Sequence, residues 1–300
     1  MDKKQKNVGT THDTARRKCM AELSEFTGRN VIIYYSGWLQ RNRVNLPPQA
    51  YLIDESDKTG FMSALRGMDK KRGLDLLLHT PGGSVSDAES LVEYLRSFFD
   101  GDLRVVVPQV AKSAGTMIAL ASRTIVMGRQ SRLGPIGPKV DNILAQSVIQ
   151  EYQHAAESLK TDPDGEGRMW LDIVMKHPPT LYITCTQAVD WVRQIVTDWL
   201  VTGMFHGEPD ALAKAERIVN DLSDMATNKS QDRQVSVTRL KRLGVNVVEL
   251  EDDQSLQDTV LAVHHATIRT LIANPICKII ENHDGVATMT RFRPLAQAHG

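Results

Sequence analysis

The chain has 300 residues with 36 basic and 36 acidic side chains, is 41% hydrophobic and 24% charged, and is therefore formally neutral. That composition excludes wholesale disorder and suits one or two domains with a sizeable core. Neutrality argues against a nucleic-acid partner, which selects a basic excess.

The basic N-terminus (Lys3, Lys4, Lys6) is followed by His12, Asp13, Arg16 and Arg17 where a signal peptide would carry apolar residues, so no secretory leader is expected. No apolar run reaches the roughly 20 residues of a membrane span. Cys19, Cys185 and Cys277 are too far apart for a disulfide framework or a metal site and read as reduced thiols of a cytoplasmic chain.

Residues 1–29 read as a mobile tail leading into a helix, Ala15 to Phe26, closed by Gly28. VIIYYSGW (31–38) is β-branched and aromatic, a strand. A helix capped by Ser56 or Asp57 should run to Gly67. LDLLLHT (74–80) and LRVVVPQV (103–110) are continuous apolar runs of the kind buried on both faces of a parallel sheet. Helices follow at 86–99 and 114–121, and TIVMG (124–128) is one more strand. This strand–helix alternation predicts an α/β parallel sheet over about 30–140, with right-handed crossovers. Past the loop SRLGPIGPK (131–139) the pattern is mostly helical: 143–160, 180–203, 208–223, 236–242 and 254–273. Short strands are expected at 245–250 and 277–281. TDPDGEG (161–167) reads as an exposed loop or lid.

Two segments put small residues at the C-terminal ends of buried strands, where open parallel sheets hold ligands. In His79-Thr80-Pro81-Gly82-Gly83-Ser84 the glycines let backbone N–H groups approach a ligand, an arrangement suited to an oxyanion, though a plain tight turn has the same composition. In Ala111-Lys112-Ser113-Ala114-Gly115-Thr116, Ser113 would sit on a sharp turn with its hydroxyl exposed and the Ala114 N–H beside it. The alternative is a serine that only caps the next helix. One βα unit separates the two segments, so their tips should meet.

Together HTPGGSVSDAESL and AKSAGTMIALASRTIVMGRQSRLGPIGP resemble the Clp-protease/crotonase superfamily. Within it the chain is similar to the serine dehydrogenase proteinase family, related to signal peptide peptidase A. RLKRLGVNV (239–247) resembles a further element of that family. The resemblance implies peptide-bond hydrolysis through an acyl-enzyme, with Ser113 as nucleophile and the Gly82, Gly83 and Ala114 amides as oxyanion hole. It also implies a peptide or protein substrate, no cofactor, and a homo-oligomer.

The histidine that Clp-type relatives carry after the nucleophile is missing from LGPIGPK, so a Ser–Lys pair is the natural substitute. Lys160 ranks first, on the flank of the stripe Leu144, Val148, Tyr152, Ala155, Leu159, and Lys139 second, just past Pro138. His154 falls on the far side of that wheel, and His177 is held in reserve. His79 reads as a satisfied packing residue, and His264–His265 cannot form an i, i+4 metal pair. Helix 180–203, with Trp191, Ile195, Trp199 and Leu200, is the expected assembly surface. Two rival readings keep the fold: a crotonase-like acyl-CoA enzyme, and a non-catalytic assembly or adaptor protein.

Overall fold

The structure, a computed structural model, describes residues 10–40, 47–228 and 234–291, with the side chains of 225–228 left aside. Helix α1 (Thr11–Thr27) starts at a capping box between Thr10 and Asp13 and ends at Gly28, whose φ of 69° needs no Cβ. Far from being a loose leader, α1 is anchored by Arg16, 0% exposed, which pairs with the equally buried Glu281.

Strand β1 (Asn30–Ser36) is buried throughout. Its alternation serves two cores: Ile32 and Tyr34 join one apolar cluster, while Val31, Ile33 and Tyr35 join the other. Covered faces on both sides explain why these runs lack the apolar–polar alternation of a half-exposed strand. Helix α2 (Glu55–Leu65) is capped by Asp54, two residues before Ser56 and three before Asp57, the caps the sequence suggests. It leads to β2 (Leu74–His79), α3 (Val85–Phe98) and β3 (Leu103–Val107). The apolar run 103–110 divides at Pro108, which has no N–H for a ladder, so Val110–Ala111 forms a separate short strand, β4. Helix α4 (Ala114–Leu120), β5 (Thr124–Met127) and β6 (Arg132–Leu133) complete this stretch.

A hairpin, β7 (Lys139–Val140) with β8 (Ile143–Leu144), turns through Asp141 and Asn142, both at positive φ. It opens a helical layer: α5 (Ala145–Thr161), α6 (Glu166–Val174), α7 (Leu181–Trp199) and α8 (Ala211–Asn228). Only a few residues of 161–167 form a loop, because Gly165 starts α6. A π-helical turn, Leu200–Met204, follows α7. The chain ends through β9 (Val235–Ser236), α9 (Val237–Leu243), β10 (Val247–Glu249), α10 (Gln254–Ala273), β11 (Ile276–Asn282) and β12 (Ala287–Arg291).

The main sheet has seven strands in the order β10-β5-β3-β2-β1-β11-β12. The five from β10 to β1 are parallel, β11 pairs antiparallel with β1, and β12 pairs antiparallel with β11. The sheet therefore reaches well beyond residue 140, and three of its strands come from the part of the sequence that reads as mostly helical. Helices α2, α3, α4, α7 and α8 cover one face, and α1 with α10 cover the other. Ile195 and Trp199 of α7 and Leu200 of the π-helical turn are spent on the core of this chain, leaving Trp191, 38% exposed, as the one large apolar side chain of that foursome in solvent. Among the described residues no helix is long and apolar enough to cross a membrane.

Candidate active site

The tips of β2 and β4 are stitched together just before the site. The Lys112 N–H donates to the Thr80 carbonyl at 3.1 Å, and the Thr80 N–H to the Val110 carbonyl at 3.3 Å. Close backbone approach here needs small residues: a Cβ on Gly115 would lie 2.4 Å from Thr80 Cγ2. The Thr116 hydroxyl, fully buried, sits between the Ala111 and Gly134 carbonyls at 3.1 and 2.9 Å and fixes the Gly/Pro loop behind the turn.

Ser113 occupies the N-cap position of α4, yet its hydroxyl makes no capping bond. Its backbone stands at φ 51°, ψ −120°, outside the extended region that N-caps adopt. For a side-chain-bearing residue this conformation costs on the order of 1–3 kcal/mol and persists only where the surroundings impose it. Here the stitched strand tip and the helix start impose it.

Gly82, at φ 96°, comes within van der Waals reach of that serine: a Cβ on it would lie 2.9 Å from Ser113 Cβ and 2.7 Å from the Lys112 carbonyl. Its own N–H donates to Thr80 Oγ1 at 3.1 Å. The Gly82 N–H is thus already engaged, and its Cα leaves no room for a side chain against Ser113. Gly83 is fixed by an isolated parallel bridge to Ile53, with Ile53 N–H donating to the Gly82 carbonyl at 2.9 Å and Ser84 N–H to the Ile53 carbonyl at 3.0 Å. In such a bridge the flanking groups face the partner strand, so the Gly83 N–H points to the opposite side. Ile53 carries no mark in the sequence, because a single-residue bridge from an irregular segment leaves no periodic trace.

Lys160 is not where the stripe argument puts it. The Lys160 side chain is 74% exposed and pairs with Glu157 at 3.6 Å. Helix α5 begins at the loop bordering the site, where the Ala145 N–H meets the Pro138 carbonyl. Fifteen residues at about 1.5 Å each carry Lys160 roughly 22 Å along the axis. A helical wheel reports the face of a residue and is blind to its distance along the helix. Lys139 is also exposed, but it lies on β7, five residues after Gly134, whose backbone packs against Lys112 beside Ser113. His154 is exposed and faces Glu166 at 3.1 Å; His177 faces Glu151 at 3.4 Å.

His79 closes β2 on the opposite face, packed against Trp38, Tyr35 and His264 at ring distances of 4.4, 5.4 and 5.8 Å. It is fully buried, and neither ring nitrogen makes a well-aligned hydrogen bond, the Val110 backbone being the polar group beside the ring, so it is a packing residue without being a well-satisfied one. Burial, reinforced by the charge of His264, pushes its pKa down to about 3. Burial and neighbouring His265 likewise lower His264 to about 4, while its Nδ1 meets the Tyr35 hydroxyl at 3.1 Å. Among the described residues no cluster of three or more histidine, cysteine or acidic side chains is arranged to hold a metal ion.

Comparison with known proteins agrees with this architecture. An uncharacterized protein of Methanocaldococcus jannaschii is 32% identical over 139 residues, 46% of this chain and 48% of the relative. The match thus spans about half the length of that relative. A second uncharacterized protein of the same organism is 24% identical over 232 residues, covering 77% of this chain and 71% of its own. Residues 5–255 match the family described as ClpP-like SDH-type serine proteinases, and with the greater part of its length inside that match the chain belongs to this family.

Proposed function

We propose that the protein hydrolyses peptide bonds through a Ser113 acyl-enzyme, with the Gly83 and Ala114 N–H groups as its oxyanion hole. The observation carrying this reading is the strained, uncapped Ser113 beside Gly82. In the proposed reaction Ser113 Oγ attacks the scissile carbonyl carbon and its proton passes to a base. The two amides receive the charge that develops on the carbonyl oxygen, where one donor is worth about 10²–10³ in rate. Collapse expels the amine, which takes the proton, and water then hydrolyses the ester.

For the base, placement favours Lys139 over Lys160, reversing the order that the helical wheel suggests. Lys139 follows the loop pinned to the Ser113 turn, and a peptide lying along the β7–β8 hairpin would cover it. Reaction with a fluorophosphonate tests both levels of the proposal. The wild type should be labelled at Ser113, and Lys139→Met should slow labelling at least about 10²-fold, whereas Lys160→Met should match wild type. Equal rates for all three would remove Lys139 from the mechanism, and no labelling of wild type would favour the acyl-CoA or adaptor readings.

Assembly belongs to the same proposal. Met169, Met175, Ile183 and Trp191 leave an apolar surface on α6, its C-terminal end and α7, which supports a homo-oligomer built through the helical layer. Light scattering at micromolar concentration should give a multiple of the chain mass; a monomer would reject this.

A further inference from the structure

Gly83 aims its N–H correctly only if Ile53 stays in place, yet Ile53 belongs to no helix and to no strand longer than one residue. It lies in an irregular link between a 3₁₀ turn (Pro48–Tyr51) and α2. Such a link has no hydrogen-bond ladder of its own to hold it.

What holds it is a buried ammonium. Lys278, in β11, is 2% exposed. Its Nζ donates to the Leu52 carbonyl at 3.0 Å, to Asp54 Oδ2 at 2.6 Å and to Asp57 Oδ2 at 3.0 Å, and lies 2.8 Å from Asp57 Oδ1 in the same ion pair. These acceptors bracket residue 53 on both sides and reach one turn into α2. Asp57 is itself held by the Tyr34 hydroxyl from β1 and by the Asp54 N–H at 3.0 Å. Next to Lys278 in the sheet, Ser36 donates to the Tyr51 carbonyl at 2.7 Å and secures the other end of the link.

A buried ion pair is a poor source of net stability, since a well-packed apolar side chain does as well or better. A lysine here costs desolvation and returns a fixed geometry, and all of its acceptors lie in the segment that clamps the oxyanion loop. We infer that Lys278, with Asp54, Asp57 and Tyr34, is a positioning device for the oxyanion hole, transmitting the rigidity of β1 and β11 through Ile53 to Gly83. Lys278 itself lies outside residues 5–255, the part of the chain that matches the family. The inference rests on the peptidase reading for its catalytic consequence, but not for its structural one.

Two readouts keep these apart. Hydrogen exchange of the segments containing Ile53 and Gly83–Ser84 reports the clamp whether or not the protein is a peptidase. Fluorophosphonate labelling of Ser113, with kcat and KM on a peptide, reports its consequence. Lys278→Met should speed exchange in both segments and lower labelling and kcat by about 10–100-fold, approaching the loss of one oxyanion donor, with KM within about twofold. Tyr34→Phe, which removes one bond to Asp57 and keeps the ring, should act in the same direction by a smaller factor and covers the case in which Lys278→Met fails to fold. Glu281→Gln is the control: it weakens the pairing of the same strand to α1, through Arg16 and Arg17, without touching residues 52–57. It should lower the melting temperature while kcat stays within about threefold. Unchanged exchange in Lys278→Met and Tyr34→Phe overturns the inference, as does faster exchange with unchanged kcat, or an equal kcat loss in Glu281→Gln. If wild-type Ser113 is not labelled, the peptidase reading falls and the exchange result alone decides the clamp.

Discussion

Replacing Ser113 by alanine is expected to abolish labelling and hydrolysis, a loss on the order of 10⁶-fold for a serine nucleophile, with the fold unchanged. Removing an N-cap serine ordinarily costs about 1 kcal/mol, but this hydroxyl makes no capping bond to lose. Alanine keeps the Cβ and therefore the strain of φ 51°. Glycine removes both, so Ser113→Gly should be equally inactive and more stable than wild type by about 1 kcal/mol. A pair of variants that are dead, one of them more stable than its parent, is the signature of a residue kept for chemistry at a cost in stability. Hydrolysis surviving in purified Ser113→Ala, or destabilisation in Ser113→Gly, would count against the assignment.

The second large effect is expected on stability in acid. His79 and His264 are held neutral in the folded chain, with pKa values lowered from 6.5 to about 3 and about 4. An unfolded chain takes up those protons near 6.5, so the unfolded state binds more protons throughout the window from 6.5 down to about 3–4. Stability is therefore fully present above pH 6.5 and is lost as pH falls, by up to about 1.4 kcal/mol per pH unit per histidine. Between pH 6 and 4.5 the two together should remove about 3 kcal/mol, a large part of the usual 5–15. His79→Phe isolates half of this. It keeps an aromatic ring against Trp38 and Tyr35 and deletes two ring nitrogens that make no well-aligned hydrogen bond. The variant should be more stable than wild type at pH 7 by about 1 kcal/mol, and the gap should widen toward pH 4.5. Denaturation curves that run parallel at both pH values would show that His79 finds a partner for its proton in the folded chain.

Several features of this protein follow from local sequence alone. The apolar runs at 31–36, 74–79 and 124–127 become central strands because a strand covered on both faces needs little besides bulk at every position. Strand-end glycines and the serine between small residues mark the site because backbone can approach backbone only where no Cβ intervenes, as Gly82 against Ser113 and Gly115 against Thr80 demonstrate. These are signals carried within a few residues, and the sequence contains them in full.

What depends on the third dimension is different in kind. The apolar pattern of α5 identifies its buried side, but the direction of the helix axis takes Lys160 away from the serine. The β11–β12 hairpin reads as a lone short strand until β1 offers it an edge to pair with. Lys278 looks like an ordinary surface lysine in CKIIE, and only the sheet brings it to Asp54 and Asp57, more than two hundred residues away along the chain. Which amides stay free to donate was likewise decided by packing: Thr80 takes the Gly82 N–H, while Ile53 turns that of Gly83 away from itself. Periodicity and composition encode how each segment meets an apolar interior, whereas the meeting of single polar groups from distant segments is a property of the assembled sheet.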